Sequence, residues 1–282
     1  MYTPSFRYYR AGSLAEAISL LQREPEARLL AGGHSLLPAM KLRLASPPAL
    51  IDIGRIPELR GIRRQDGGWA IGAMTTHREV EFSELPLLSE VAAHVADPPV
   101  RNRGTIGGSL AHADPGADYP AAVLALGATI RAVGPRGERS IPADGFFQGL
   151  FATALQPGEV LTEVQLPALG RGWGWAYEKF PHPASGYAVV GVAAVVQAEG
   201  GAARQVRVGV TGAAQAAFRP RQVEERLVGR ALDEGTVRGA LAGAFDPGQL
   251  LSDPFASAEY RAALCQALCR RALLRAWQRA TG

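Results

Sequence analysis

Ala31-Gly32-Gly33-His34-Ser35-Leu36-Leu37-Pro38 and Gly104-Thr105-Ile106-Gly107-Gly108-Ser109 decide how this chain is read. Each is a glycine pair beside hydroxyl side chains, and the first lies between a short apolar run and an expected short helix. Paired glycines let backbone N–H groups turn toward one point and let a ligand come close. A helix N-terminus behind them favours an anion. Read alone, a Gly-Gly before a helix is more often a tight turn than a ligand site. Neither stretch is a Gly-x-Gly-x-x-Gly or a Gly-x-x-x-x-Gly-Lys-Ser/Thr, so neither a Rossmann domain nor a P-loop is supported. Two such loops can instead grip the two phosphates of a pyrophosphate, which fits a dinucleotide bound outside the Rossmann plan.

Around the first loop, the pattern predicts a helix at Leu14–Gln22, opened by a Ser13/Glu16 capping box. Strands are expected at Ala27–Ala31 and Ala49–Ile53. Around the second, Trp69–Ala73 reads as a strand and Leu87–Ala96 as a helix stopped by Asp97-Pro98-Pro99. Arg103–Ser109 reads as loop and Pro120–Leu126 as helix. Ala128–Val133 and Arg139–Ile141 read as a hairpin, and Val160–Leu166 as a strand. Three strands in a row follow, Trp173–Lys179, Ala188–Gln197 and Gln205–Thr211. Helices follow them at Arg221–Val228, Glu234–Ala244 and Ala258–Ala280. Strands and then helices define an α+β unit. The expected division is 1–170, with subdomains of about 1–54 and 55–170, and 171–282.

Composition narrows the function. The chain has 282 residues, 47% hydrophobic and 20% charged, as a globular protein does. No apolar run approaches the ~18 residues of a membrane span, and Met1–Arg10 has no signal-peptide core. A cytoplasmic location is expected. The net charge of +4 comes mostly from scattered arginines, not from the concentrated stripe that nucleic acid requires. Arg270, Arg271, Arg275 and Arg279 on the last helix are expected to form a solvated face. Cys265 and Cys269 are four apart on one helix face and read as core. An iron–sulfur cluster needs about four such ligands, so this chain alone cannot hold one. Asp114-Pro115-Gly116 reads as a turn and Asp118 as an N-cap or a ligand contact. His77 and His94 read as ordinary polar or part-buried residues, and His112, close to the second loop, as a candidate to line the site. No metal ligands and no catalytic acid or base are assigned.

The two loops together carry a family resemblance. Ala31–Pro38 with Lys41-Leu42-Arg43-Leu44 resembles the first flavin loop of the FAD-binding (medium) subunits of molybdenum hydroxylases, the aerobic carbon monoxide dehydrogenase type above all. Thr105–Pro115 resembles the second flavin loop, and Ser257–Arg261 with Arg271-Ala272-Leu273 the C-terminal domain. The resemblance covers nearly the whole chain in order. It implies a PCMH/vanillyl-alcohol-oxidase-type FAD-binding domain of two α/β subdomains. A small C-terminal domain with a three-stranded antiparallel sheet and helices follows. It further implies that Ala31, Gly32, Gly33, His34, Ser35 and Leu36 hold the FAD pyrophosphate from one side. Thr105, Gly107, Gly108 and Ser109 would hold it from the other. Asp118 matches a carboxylate that contacts FAD, and Leu161 a backbone contact to the adenine half. Lys179, in Tyr177-Glu178-Lys179, matches a lysine near the flavin that can stabilise negative charge on the reduced ring.

The chain departs from the pattern at Phe180–Tyr187, where relatives carry more basic residues and this one carries Pro181 and Pro183. Tyr187 is expected to cover the ring, with the two prolines able to reroute its loop. The implied role is electron transfer: FAD here, [2Fe–2S] clusters on a small partner subunit, and the molybdopterin cofactor on a large one. The implied assembly is a dimer of heterotrimers. Two alternatives stay open at this stage: a stand-alone flavin oxidoreductase with its own organic substrate, and a flavin-free scaffold. The primary substrate and the electron acceptor are not readable from these residues.

Overall fold

The computed structural model describes residues 2–282. The chain opens with a parallel three-stranded sheet made of β1 (Arg7–Arg10), β2 (Arg28–Leu30) and β3 (Ala49–Asp52), in the order β1-β3-β2. Helix α1 (Leu14–Arg23) joins β1 to β2, and α2 (Leu36–Lys41) joins β2 to β3. Ser13 caps α1 by accepting the Glu16 N–H at 3.2 Å, while the Glu16 carboxylate accepts from Gly12 rather than from Ser13. The first glycine loop thus leaves the carboxyl end of a parallel strand, where ligands of such sheets bind. Strand β1 is missing from the sequence reading. It is a largely exposed edge of sequence Arg-Tyr-Tyr-Arg, without the alternating apolar face that makes a strand legible.

The second layer is a five-stranded antiparallel sheet. Its strands are β4 (Ile62–Gln65), β5 (Gly68–Gly72), β6 (Thr129–Gly134), β7 (Gly137–Pro142) and β10 (Val160–Leu166), in the order β4-β5-β10-β6-β7. A small hairpin, β8 (Phe147–Gly149) and β9 (Ala152–Thr153), precedes β10. Between β5 and β6 run five helices: α3 (His77–Glu81), α4 (Leu88–Ala93), α5 (Pro98–Arg101), α6 (Ile106–His112) and α7 (Tyr119–Leu126). Two expectations change here. The helix expected at Leu87–Ala96 is shorter, and Asp97-Pro98-Pro99 does more than stop it. Asp97 accepts the Val100 N–H at 3.0 Å and starts α5, with both prolines in the first turn, where their missing N–H costs nothing. The expected loop at 103–109 is half helix, because Thr105 caps α6 through the Gly108 N–H at 3.1 Å. All eight residues of α7 are buried, as a helix apolar all round must be.

The C-terminal part is an antiparallel sheet of β11 (Trp173–Pro181), β12 (Ala188–Glu199) and β13 (Ala202–Thr211). Helices α8 (Arg221–Leu227), α9 (Glu234–Leu241) and α10 (Ala258–Thr281) follow it. The long apolar run of β12 has a direct cause: both faces are covered. Ala193 and Val195 pack into the core around α7, while Val190, Val192, Ala194 and Val196 pack against the C-terminal helices. Cys265 and Cys269 lie in that second core. The arginines of α10 are not uniformly a solvated face. Arg279 donates to Glu90 on α4 at 2.8 Å, and Arg275 bonds the same carboxylate and the Tyr177 carbonyl. Periodicity places those arginines outside the helix core, but it cannot show that a carboxylate from another layer meets them there.

Candidate functional site

The first loop is an array of free donors. Among the described residues, no protein acceptor takes the N–H of Gly32, Gly33, His34, Ser35 or Leu36. Five consecutive unpaired amides at the start of a helix make a strong anion site. The loop is held in shape from behind, since His34 Nδ1 donates to the Gly32 carbonyl at 2.9 Å. The second loop is built differently. Ile106 and Gly107 donate to the Thr75 and Ala73 carbonyls at 3.0 and 2.9 Å, and Gly108 and Ser109 donate to Thr105. Most N–H groups of this loop are therefore spent on the protein, and what it offers a ligand is the Thr105 N–H and the Thr105 and Ser109 hydroxyls. The two loops meet at Gly32, where a Cβ would overlap the Arg103 carbonyl and the Gly104 Cα. Glycine is required there by close approach of backbone to backbone.

Leu161 lies on β10 opposite Ala132, at a bulge between Leu161 and Glu163. The next residue, Thr162, accepts the Ala73 N–H at 2.9 Å, and Ala73 accepts from Gly107. This ladder ties β10 to the second loop. The connection His182–Tyr187 closes a tight hairpin between β11 and β12, with the Gly186 N–H donating to the His182 carbonyl at 2.8 Å. The two prolines therefore leave the hairpin intact. Tyr187 extends from it toward the Ser35 hydroxyl of the first loop and stands beside Asp114 and Asp118. Burial and those two carboxylates raise its phenol above the ordinary range.

Asp118 stands at the N-cap position of α7, but its side chain does not cap the helix. It is buried and accepts the Tyr177 hydroxyl at 2.5 Å and the Lys179 ammonium at 2.8 Å. Burial pushes its carboxyl upward, opposed by Lys179, Tyr177 and His94. Lys179 is accordingly not a surface residue, since its side chain is 3% exposed. Sequence reasoning missed Tyr177. The available signal was period two, which puts Tyr177 and Lys179 on one face of β11. His77 was also undervalued. It is buried beneath Gly104, its N–H donates to the Gly104 carbonyl at 2.9 Å, and burial lowers its imidazole to about 4. Its Nδ1 and the Tyr119 hydroxyl are buried without a partner among the described residues. Asp114 accepts the Gly116 N–H at 2.9 Å in a turn. His112 lies against Phe151, and burial lowers its imidazole.

Two glycine loops, one of them a row of free amides, joined to a parallel three-stranded layer and an antiparallel five-stranded layer suit a dinucleotide-binding protein of non-Rossmann plan. Residues 4–169 match the family described as FAD binding domain in molybdopterin dehydrogenase. Residues 175–276 match the CO dehydrogenase flavoprotein C-terminal domain. The chain is 44% identical over 285 residues to the carbon monoxide dehydrogenase medium chain of Hydrogenophaga pseudoflava, covering 99% of each. It is 40% identical to the medium chain of Afipia carboxidovorans, again covering 99% of each. The solved structure of carbon monoxide dehydrogenase from Hydrogenophaga pseudoflava superposes with a TM-score of 0.95, covering 99% of both chains. This chain belongs to the family of FAD-binding medium chains of molybdenum hydroxylases, and it is an oxidoreductase subunit of α+β fold. Among the described residues, no helix is long and apolar enough to cross a membrane.

Proposed function

We propose that this chain carries the FAD of a molybdenum-containing hydroxylase and relays electrons from [2Fe–2S] clusters on a small partner subunit to an external acceptor. The molybdopterin cofactor and the primary substrate belong to a large partner subunit, in a cytoplasmic dimer of heterotrimers. The observation that carries the reading is the row of unpaired amides from Gly32 to Leu36, with the second loop packed against it at Gly32. A pyrophosphate is the group this donor set fits, because amides and hydroxyls both satisfy phosphate oxygens without a counter-cation. When bound, FAD supplies reversible uptake and release of electrons.

The chain's own residues bind and orient. The 32–36 amides hold one phosphate face, and Thr105 and Ser109 the other. Gly107 and Gly108 contribute by letting the chain pack close rather than by donating. Leu161 lines the adenine side through the β10 backbone. Tyr187 covers the ring, and its reach to Ser35 supports that placement. Asp118 and Lys179 set the charge beside the ring. The division of the chain at 170/171 is supported by the two family matches, which meet between residues 169 and 175.

An absorption spectrum of the full chain, purified alone and after addition of FAD, tests the proposal. Flavin bands near one per chain are expected. Failure to find flavin released on denaturation, from the chain alone after FAD addition and from its complex with the partner subunits, would overturn it. The substrate class is not fixed by this chain, because the pocket that selects it lies on the large subunit in this reading.

A further inference from the structure

Lys179 is committed to the protein before any ligand arrives. Its ammonium donates to Asp118 Oδ2 at 3.0 Å and to the His94 carbonyl at 2.9 Å, and Asp118 Oδ1 stands 2.8 Å away in the same ion pair. Both partners are sealed, at 3% and 5% side-chain exposure. The pair lies behind the hairpin that carries Tyr187, whose ring packs against Gly116, two residues before Asp118. A lysine beside a flavin would ordinarily present a positive charge. Here a carboxylate answers that charge before the cofactor can.

Lys179 and then Tyr177 favour the ionised form of the carboxylate against its burial. A buried acid favours its neutral form unless donors hold the anion. The Tyr177 hydroxyl is one of those donors, wholly buried and aimed at Asp118 Oδ1. The backbone around it is fixed from the other side. Glu90 accepts the Tyr177 N–H at 3.2 Å and is itself held by Arg275 and Arg279. The other titratable groups that face the pair are His94 from α4, Tyr119 from α7 and Tyr187 from the β11–β12 hairpin.

We infer that Tyr177 is a positioning residue: its hydroxyl holds Asp118 ionised and locked to Lys179, so that the cofactor cleft faces a neutral ion pair and not a free ammonium. The effect on the cofactor rests on the FAD reading above; the closure of the pair does not.

The composition offers a direct test, because Lys41 and Lys179 are the only lysines and Lys41 is exposed. The full chain without flavin is treated with acetic anhydride at pH 8, as wild type, Tyr177→Phe and Asp118→Asn, and each lysine is followed by mass spectrometry. Wild-type Lys179 is expected to react at least ~10-fold more slowly than Lys41, as burial in an ion pair dictates. Both variants are expected to react severalfold faster at Lys179, with Lys41 unchanged as the internal reference. With FAD bound, the midpoint potential of Tyr177→Phe is expected to lie above that of wild type, and the gap to widen from pH 8 to pH 6. Losing the hydrogen bond lets Asp118 take a proton at higher pH, and the uncovered ammonium then favours the electron-rich reduced ring. A merely structural role would lower the unfolding temperature and leave that pH dependence parallel to wild type. Lys179 reacting as fast as Lys41 in wild type would overturn the inference. So would a Tyr177→Phe protein whose lysine protection and potential both track wild type. If wild type binds no FAD the cofactor reading fails, while the protection of Lys179 still decides the lock.

Discussion

Gly209 on β13 lies directly against Ala121 on α7, so closely that a Cβ at 209 would overlap the Ala121 carbonyl. Its same-face neighbours on β13 grip the ends of that helix. Arg207 donates to the Leu124 carbonyl at 2.8 Å and to the Ala125 carbonyl at 3.2 Å, placing a cation at the negative helix end. The Thr211 hydroxyl sits between the Pro115 and Ala117 carbonyls, at 2.8 and 2.7 Å. The helix that follows the second flavin loop is thus seated on the C-terminal sheet, and the two parts of the chain share one core across it.

Replacing Gly209 with valine should therefore act on stability and on the cofactor site together. The clash is with backbone, which cannot swing aside as a side chain can. Overpacking of this kind costs about 1–3 kcal/mol. Urea unfolding should show a lower midpoint with an unchanged slope, and FAD retention should fall as α7 moves off the sheet. A Gly209→Val protein with the wild-type midpoint would mean that α7 is not seated as described.

Gly32→Ala should act on the cofactor site most directly. Gly32 lies where the two loops meet, and the added methyl would drive the first loop away from Arg103 and Gly104. This clash too is with backbone, so the unfolding midpoint should also fall, by about the 1–3 kcal/mol of overpacking. FAD affinity should fall at least ~10-fold, about 1.4 kcal/mol, because the phosphate must bridge both loops. Titration of flavin fluorescence checks this directly. Retained affinity would place the pyrophosphate elsewhere.

Much of this architecture is legible from residue types, and the exceptions have physical causes. Strand β10 stands at Val160–Leu166 as expected, because a period-two apolar run with proline after it permits little else. Strands β1 and β4 escape notice because they are arginine-rich edges with no buried face to impose a period. The glycine loops are visible as motifs, yet sequence cannot tell that one spends its amides on Ala73 and Thr75 while the other leaves them free. That difference depends on a strand end 30 residues away in the chain. Lys179 is conspicuous as one of two lysines, whereas Tyr177 looks like any core tyrosine until Asp118 is placed opposite it.

His77 gives the protein a pH-dependent stability with a defined sign. Its imidazole titrates near 6.5 in an unfolded chain and about 4 here, chiefly because burial disfavours the charged form. Between those values the unfolded state binds more protons, so stability rises with pH through that window. The contribution is complete above about pH 6.5 and is lost as pH falls toward 4, amounting to about 3 kcal/mol. Denaturant unfolding at pH 5.0 and 7.0 should show about 2 kcal/mol of that loss in wild type and much less in His77→Asn. Equal pH slopes in the two proteins would show that His77 is charged in the folded state or is not buried.

The cysteines supply the last expected outcome. Cys265 and Cys269 are both buried in the C-terminal core, and burial raises Cys265 to about 12 and holds Cys269 well above the ordinary thiol range. The thiolate is the reactive form, so at pH 8 almost none is present in the folded protein. A disulfide reagent such as dithiobis-nitrobenzoate should find no fast thiol in the native chain and two after guanidinium unfolding. A rapid native thiol would mean that the helix Ala258–Thr281 opens away from the sheet. If both stay silent, neither sulfur can serve as a cluster ligand without unfolding the core that holds it. Iron–sulfur absorbance in a purified complex would then have to arise from cysteines on another chain.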